Sequence, residues 1–109
     1  MYTDIIHDNI WDMLKAAGMP TPIVHDSTWG DISSTPSFAQ VFDWFIKKHN
    51  VYISIEPSYD FANELVEDYF EWNVCKPGKS FHEAPSGINT EFTIAAENAI
   101  KAAIKYIGK

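Results

Sequence analysis

The sequence predicts an α+β fold in which helices pack on a small antiparallel β-sheet of two or three strands. Apolar residues recur at helical spacing near both ends of the chain and in its middle, and two other stretches alternate between apolar and polar residues. Glycine and proline separate these segments. The predicted order is α-α-β-β-β-α, and 109 residues are expected to form a single domain over residues 1–109.

The first helix is predicted over Asp4–Ala17, where apolar residues recur every three or four positions. Thr3 is the expected N-cap, and Asp4 places a negative charge in the first turn, where the helix dipole favours it. Gly18 followed by Pro20 is a typical stop signal, so the helix is expected to end there.

Residues 18–35 show no regular spacing of apolar residues and are rich in glycine, proline and serine. They contain too many large apolar side chains for a free linker. We therefore predict a long surface loop that Trp29 attaches to the domain, with a short extended piece at Pro22–His25.

The second helix is predicted to open at Thr35 and Pro36, a capping residue followed by a proline that suits the first helical position. Asn50 is expected to end it in the left-handed conformation. An aromatic stripe at i, i+3, i+4 and i+7 is expected to face the core. Its members are Phe38, Val41, Phe42 and Phe45.

Two strands are predicted from alternation with a period of two. The first is Val51–Glu56, which Pro57 is expected to stop, and the second is Tyr69–Cys75. The expected buried residues are Val51, Ile53 and Ile55 in the first strand, and Phe70, Trp72 and Val74 in the second. Residues 58–68 between them fit either a short helix or a bent strand and loop.

The last third of the chain contains the remaining predicted elements. Residues 76–79 have the proline and glycine of a type II turn, and a short third strand could return over Ser80–Ala84. Pro85–Gly87 is expected to interrupt the chain. The closing helix is predicted from Thr90 to Ile107, with an alanine-rich seam facing the sheet.

Composition excludes several classes of protein. The chain has 15 acidic residues, 8 lysines and no arginine, for a net charge of −7, which argues against direct binding to nucleic acid. Its only cysteine, Cys75, excludes an internal disulfide and a cysteine-cluster zinc site. No apolar run is long enough to span a membrane, and the first residues lack the basic region of a signal peptide, so a cytoplasmic protein is expected.

No motif for catalysis or for cofactor binding stands out, so the prediction favours a protein that is not an enzyme and has no cofactor. The densest group of metal-ligating residue types is His25, Asp26 and Asp31, which could hold a divalent ion in a small metal-dependent enzyme. A solvated loop is the simpler interpretation of this trio. For Cys75, a structural thiol is favoured over a nucleophile because Glu71 and Lys76 offset each other's charge.

An acidic surface with exposed aromatic rings is the main functional prediction. Residues 1–72 carry 12 acidic residues and 3 lysines, a charge of −9, whereas residues 73–109 carry 3 and 5, a charge of +2. Large rings outside the core are typical of protein–protein surfaces. The candidate interaction residues are Trp44, Tyr52, Tyr59, Tyr69, Glu64, Glu67, Asp68 and Glu71. The alternative is that the long loop buries the surplus rings.

Several stretches resemble small uncharacterised proteins of bacteriophages and prophage elements of gut bacteria. The similar stretches are Thr35–His49, Val51–Pro57, Leu14–Pro20, Tyr69–Val74 and Ala95–Ile104. The resemblance implies a small α+β accessory protein in the cytoplasm of a bacterial host, and it supplies no catalytic residues. The predicted function is a non-enzymatic interaction with an unknown protein partner or in a homodimer. The alternative is an acidic decoy that imitates nucleic-acid phosphates and inhibits a host nucleic-acid-binding protein.

Overall fold

The computed structural model describes residues 4–28, 30–58, 69–78 and 85–108. It has an α+β fold, as predicted, in which a three-stranded antiparallel sheet of order β3-β4-β5 is packed by helices. The elements are α1 (Asp8–Ala16), β1 (Ile23–Asp26), β2 (Gly30–Ser33), α2 (Phe38–His49), β3 (Tyr52–Ser58), β4 (Tyr69–Cys75), β5 (Ser86–Asn89) and α3 (Phe92–Ile107).

The core lies between the helices and one face of this sheet, because α3 contacts all three strands and α1 and α2 pack against α3. Alanines of α3 allow close approach to the sheet, and the aromatic stripe of α2 is buried, as predicted. Phe92 joins the layers, since its ring packs edge-on against Phe38 at 6.1 Å and against Phe70 at 5.7 Å.

The prediction for the start of α1 is wrong by four residues. Residues 4–7 are not helical but lie beside the start of α2, where Ile6 N donates to Pro36 O at 3.2 Å and Phe38 N donates to Asp4 O at 3.0 Å. The second bond occupies Asp4 O, which would accept from Asp8 N in a helix that began at Asp4, and α1 begins only after His7 as N-cap. Thr3, the predicted cap, lies outside the described residues.

The second helix also begins later than predicted, although it ends as expected. Its N-cap is Ser37, not Thr35, because Ser37 and Gln40 form a reciprocal capping box. Gln40 N donates to Ser37 Oγ at 3.3 Å, and Ser37 N donates to Gln40 Oε1 at 2.9 Å. At the other end, Asn50 has the predicted left-handed conformation, with φ of 54°.

The segment 18–35 is not a loop throughout, as was predicted, because it contains the β1–β2 hairpin, and β1 overlaps the predicted extended piece at Pro22–His25. The register pairs Val24 with Ile32 and His25 with Asp31, and Gly30 closes the turn with φ of +79°. The two strands have no substantial contact with any other described helix or strand. Trp29, the predicted attachment point, lies outside the described residues.

Both edges of the three-stranded sheet differ from the prediction. Pro57 does not stop β3, which continues to Ser58, because a proline is tolerated in an edge strand. The predicted strand Ser80–Ala84 lies outside the described residues, and β5 occupies Ser86–Asn89, where an interruption was predicted. The last helix begins at Phe92, two residues later than predicted.

Trp72 explains why a glycine stands in the middle of β5. Its indole covers Gly87, its partner in the strand register, so closely that a Cβ at residue 87 would lie 2.6 Å from the ring. The indole Nε1 donates to Asn89 Oδ1 at 3.1 Å, and Asn98 Nδ2 of α3 donates to the same oxygen at 3.2 Å. The ring and these hydrogen bonds therefore fasten β5 to both β4 and α3.

Candidate interaction surface

The three-stranded sheet has a second face, which turns away from the helices and which we call the open face. Antiparallel register places directly opposite residues on the same side of a sheet, and alternate residues of each strand on opposite sides. The open face therefore consists of Tyr52, Ser54 and Glu56 of β3, Tyr69, Glu71, Asn73 and Cys75 of β4, and Ser86 and Ile88 of β5.

Two carboxylates face each other at the centre of this surface. Glu56 lies directly opposite Glu71 in the register, and both side chains are exposed. Directly opposite residues have Cβ atoms about 5 Å apart, so the two negative charges repel each other. Among the described residues, no lysine lies within ion-pairing distance of either carboxylate.

Exposed apolar side chains flank the carboxylates. Ile88 lies directly opposite Glu71 on its other side and is 62% exposed, and Tyr52 at the far end of β3 is 42% exposed. Tyr69 is half-buried and is paired with Ser58. The open face thus combines negative charge with apolar area, a composition that suits contact with another molecule.

The structure brings only some of the predicted interaction residues together. Tyr52, Tyr69 and Glu71 share the open face. Trp44 does not, because it lies on α2, half-buried, with its ring 4.9 Å from that of Phe45 and 4.8 Å from that of His49. The remaining predicted residues lie outside the described part of the chain: Tyr59, Glu64, Glu67 and Asp68.

Among the residues of the open face that the predicted interaction set lacked, Glu56 and Ile88 matter most for the surface. Glu56 could have been predicted, because the alternation of its strand places it on the same side as Tyr52. Ile88 gave no such signal, because only the pairing of β5 with β4 shows which side of the sheet it occupies.

Trp11 of α1, another ring outside the predicted helix and strand faces, belongs to the core. Trp11 is 8% exposed, and Lys15 Nζ lies 5.3 Å from the centre of its ring. One surplus ring is therefore buried by helix packing, whereas Tyr52 remains accessible on the sheet.

The candidate metal ligands are only partly described. The hairpin places His25 opposite Asp31 in the register, but the side chains of Asp26 and Asp31 lie outside the described part of the structure. Within that part, no three histidine, cysteine, aspartate or glutamate side chains form a group that could hold a metal ion. Cys75 is half-buried on the open face, opposite Tyr52.

Two histidines have distinctive surroundings away from the open face. His7 Nδ1 contacts Glu97 Oε1, which ties the start of α1 to α3 through a largely buried carboxylate. His49 ends α2 beside Trp44, and burial, together with the positive charges of Lys48 and Lys76, lowers its pKa below the usual 6.5. His49 therefore favours its neutral form in the folded protein.

Comparisons with known proteins add no evidence on function, so the open face is the main source of it. No protein-family model, curated protein or solved structure matches this chain. None of the helices in the described ranges is long and apolar enough to cross a membrane.

Proposed function

We propose that this chain is a non-enzymatic accessory protein that binds another protein through the open face of its sheet. The observation that carries this proposal is the exposure of Tyr52 and Ile88, at 42% and 62%, on the same side of the sheet as Glu56 and Glu71. Apolar side chains that a chain leaves outside its own core contribute binding free energy when a partner covers them.

The proposal places the protein in the cytoplasm of a bacterial host, as an accessory protein of phage or mobile-element type. Its support is the resemblance of five stretches of the sequence to phage and prophage proteins, together with the acidic composition. Interaction is favoured over catalysis because exposed apolar side chains such as Tyr52 and Ile88 suit contact with a partner, and the sequence contains no recognisable catalytic motif.

The test is affinity capture from bacterial lysate with two matched double variants. Tyr52→Ser with Ile88→Ser removes the apolar part of the open face, whereas Ile23→Ser with Ile94→Ser removes exposed isoleucines elsewhere, which are 59% and 43% exposed. We expect the first pair to lose a partner that the wild type and the second pair retain. Identical sets of captured proteins for all three chains would refute the proposal.

A further inference from the structure

The proposed function does not specify the chemistry of the partner. The arrangement of side chains on the open face indicates which kind of partner it would bind. Four rows of directly opposite residues cross the strands, and the last of them is Ser58 and Tyr69. The first is Tyr52 and Cys75, the second is Ser54, Asn73 and Ser86, and the third is Glu56, Glu71 and Ile88.

On β3 the middle row is lower than its neighbours, since Ser54 lies between the larger side chains of Tyr52 and Glu56. Successive rows on one face are two residues apart along each strand, or about 7 Å. The register therefore implies a shallow groove at Ser54, with Tyr52 on one side and the row of Glu56, Glu71 and Ile88 on the other.

The charges of this groove favour a cation. Glu56 and Glu71 face each other, and like charges in directly opposite positions destabilise a sheet. A lysine or arginine of a partner could lay its aliphatic stem over Ser54 and place its charged end between the two carboxylates. Ile88, next to Glu71 on the same row, would then contact an apolar side chain of the same segment.

The same charges disfavour two other occupants of the open face. A second copy of the chain that paired its open face with this one would bring four carboxylates together, and each copy already carries a net charge of −7. A nucleic acid would meet the same repulsion from its phosphates.

Resting on the proposed function, we propose that the open face binds a basic protein segment in which a lysine or arginine and an aliphatic residue lie two positions apart, so that both side chains point to the same side. The probe is a labelled seven-residue peptide in which serine occupies every odd position and lysine, valine and lysine occupy the even ones, with a peptide that has glutamate in place of lysine as its control. Binding is measured by fluorescence anisotropy at low and at moderate salt.

The deciding variants carry the same change in net charge at different places. Glu56→Gln with Glu71→Gln neutralises the groove, and Asp12→Asn with Asp43→Asn neutralises two exposed carboxylates on α1 and α2. We expect the first pair to raise the Kd of the lysine peptide about 10-fold, which corresponds to about 1.4 kcal/mol, and the second pair to change it less than about 2-fold.

Equal weakening by both pairs, or no weakening by the first, would overturn the inference. Its failure is distinguishable from failure of the proposed function. If capture from lysate depends on Tyr52 and Ile88 but not on Glu56 and Glu71, the open face binds a partner that is not basic. If capture depends on none of the four, the open face is not the binding surface.

Discussion

The two faces of the three-stranded sheet are built from the same strands but carry different chemistry. The inner face presents Ile55, Trp72 and Val74 to the helices, and the open face presents Glu56, Glu71 and Ile88 to solvent. On the inner face each side chain is constrained by its neighbours. On the open face two like charges lie opposite each other and an isoleucine stays 62% exposed. The contrast indicates that the inner face stabilises the fold, whereas the open face contributes little to it.

The largest expected difference between the faces comes from the same substitution made on each. Ile55→Thr should lower the free energy of unfolding by about 2–4 kcal/mol, because Ile55 is 6% exposed and the change leaves a cavity and a buried hydroxyl. Ile88→Thr should change it by less than about 0.5 kcal/mol. Urea denaturation followed by circular dichroism measures both, and equal losses would remove the distinction between the faces.

A second test of the inner face is Gly87→Ala. The new Cβ would lie 2.6 Å from the Trp72 indole, so the ring or the strand must shift, at a cost of about 1–3 kcal/mol. Gly108→Ala is the control, because its φ is −80° and the nearest atom to a new Cβ there is 3.6 Å away. A thermal melt that shows the same stability for both variants would mean that Trp72 does not hold β5 in this way.

On the open face a substitution is expected to stabilise the protein. Glu71→Lys converts the repulsive pair with Glu56 into an attractive one and should raise the free energy of unfolding by about 0.2–1 kcal/mol. Glu71→Gln, which removes only the repulsion, should give a smaller gain, and high salt should reduce both gains. A loss of stability in Glu71→Lys would contradict the proposed arrangement of the two carboxylates.

The smallest expected effect is a dependence on pH at the end of α2. Because the pKa of His49 is lower in the folded chain than in the unfolded one, the unfolded chain binds more protons between these two values. Above pH 6.5 His49 is mostly neutral in both states, so it does not change the free energy of unfolding. As the pH falls below 6.5, the unfolded chain takes up more protons and the free energy of unfolding decreases. Denaturation of wild type and His49→Gln between pH 5 and 7.5 should show a shallower decline in the variant, and parallel curves would contradict this role.

The parts of the fold that could be predicted are those with strong local signals. The aromatic stripe of α2 and the alternation of β3 and β4 followed from side-chain spacing, and the observed bounds of β4 match the predicted Tyr69–Cys75. The left-handed Asn50 followed from residue type alone. In each case the signal in the sequence lies within one segment of the chain.

The parts that could not be predicted depend on contacts between distant segments. Helix α1 begins late because residues 4–7 form hydrogen bonds with residues 36–38. The glycine of strand β5 is typical of an interruption when only the sequence is considered. The structure shows that this glycine makes room for the indole of Trp72. The β1–β2 hairpin has only weak alternation, so its residues gave the pattern of a loop.

The candidate interaction surface also has some features that the sequence predicts and others that only the structure shows. The amino-acid sequence by itself determined that the chain is acidic, has surplus aromatic rings and places Tyr52, Tyr69 and Glu71 on the polar sides of their strands, because strand alternation is a local property. Only the tertiary structure decided that Trp11 is buried, that Trp44 lies on a different surface, and that Glu56, Glu71 and Ile88 form one row. Strand register and helix packing join residues far apart in the chain, and no local pattern specifies those partners.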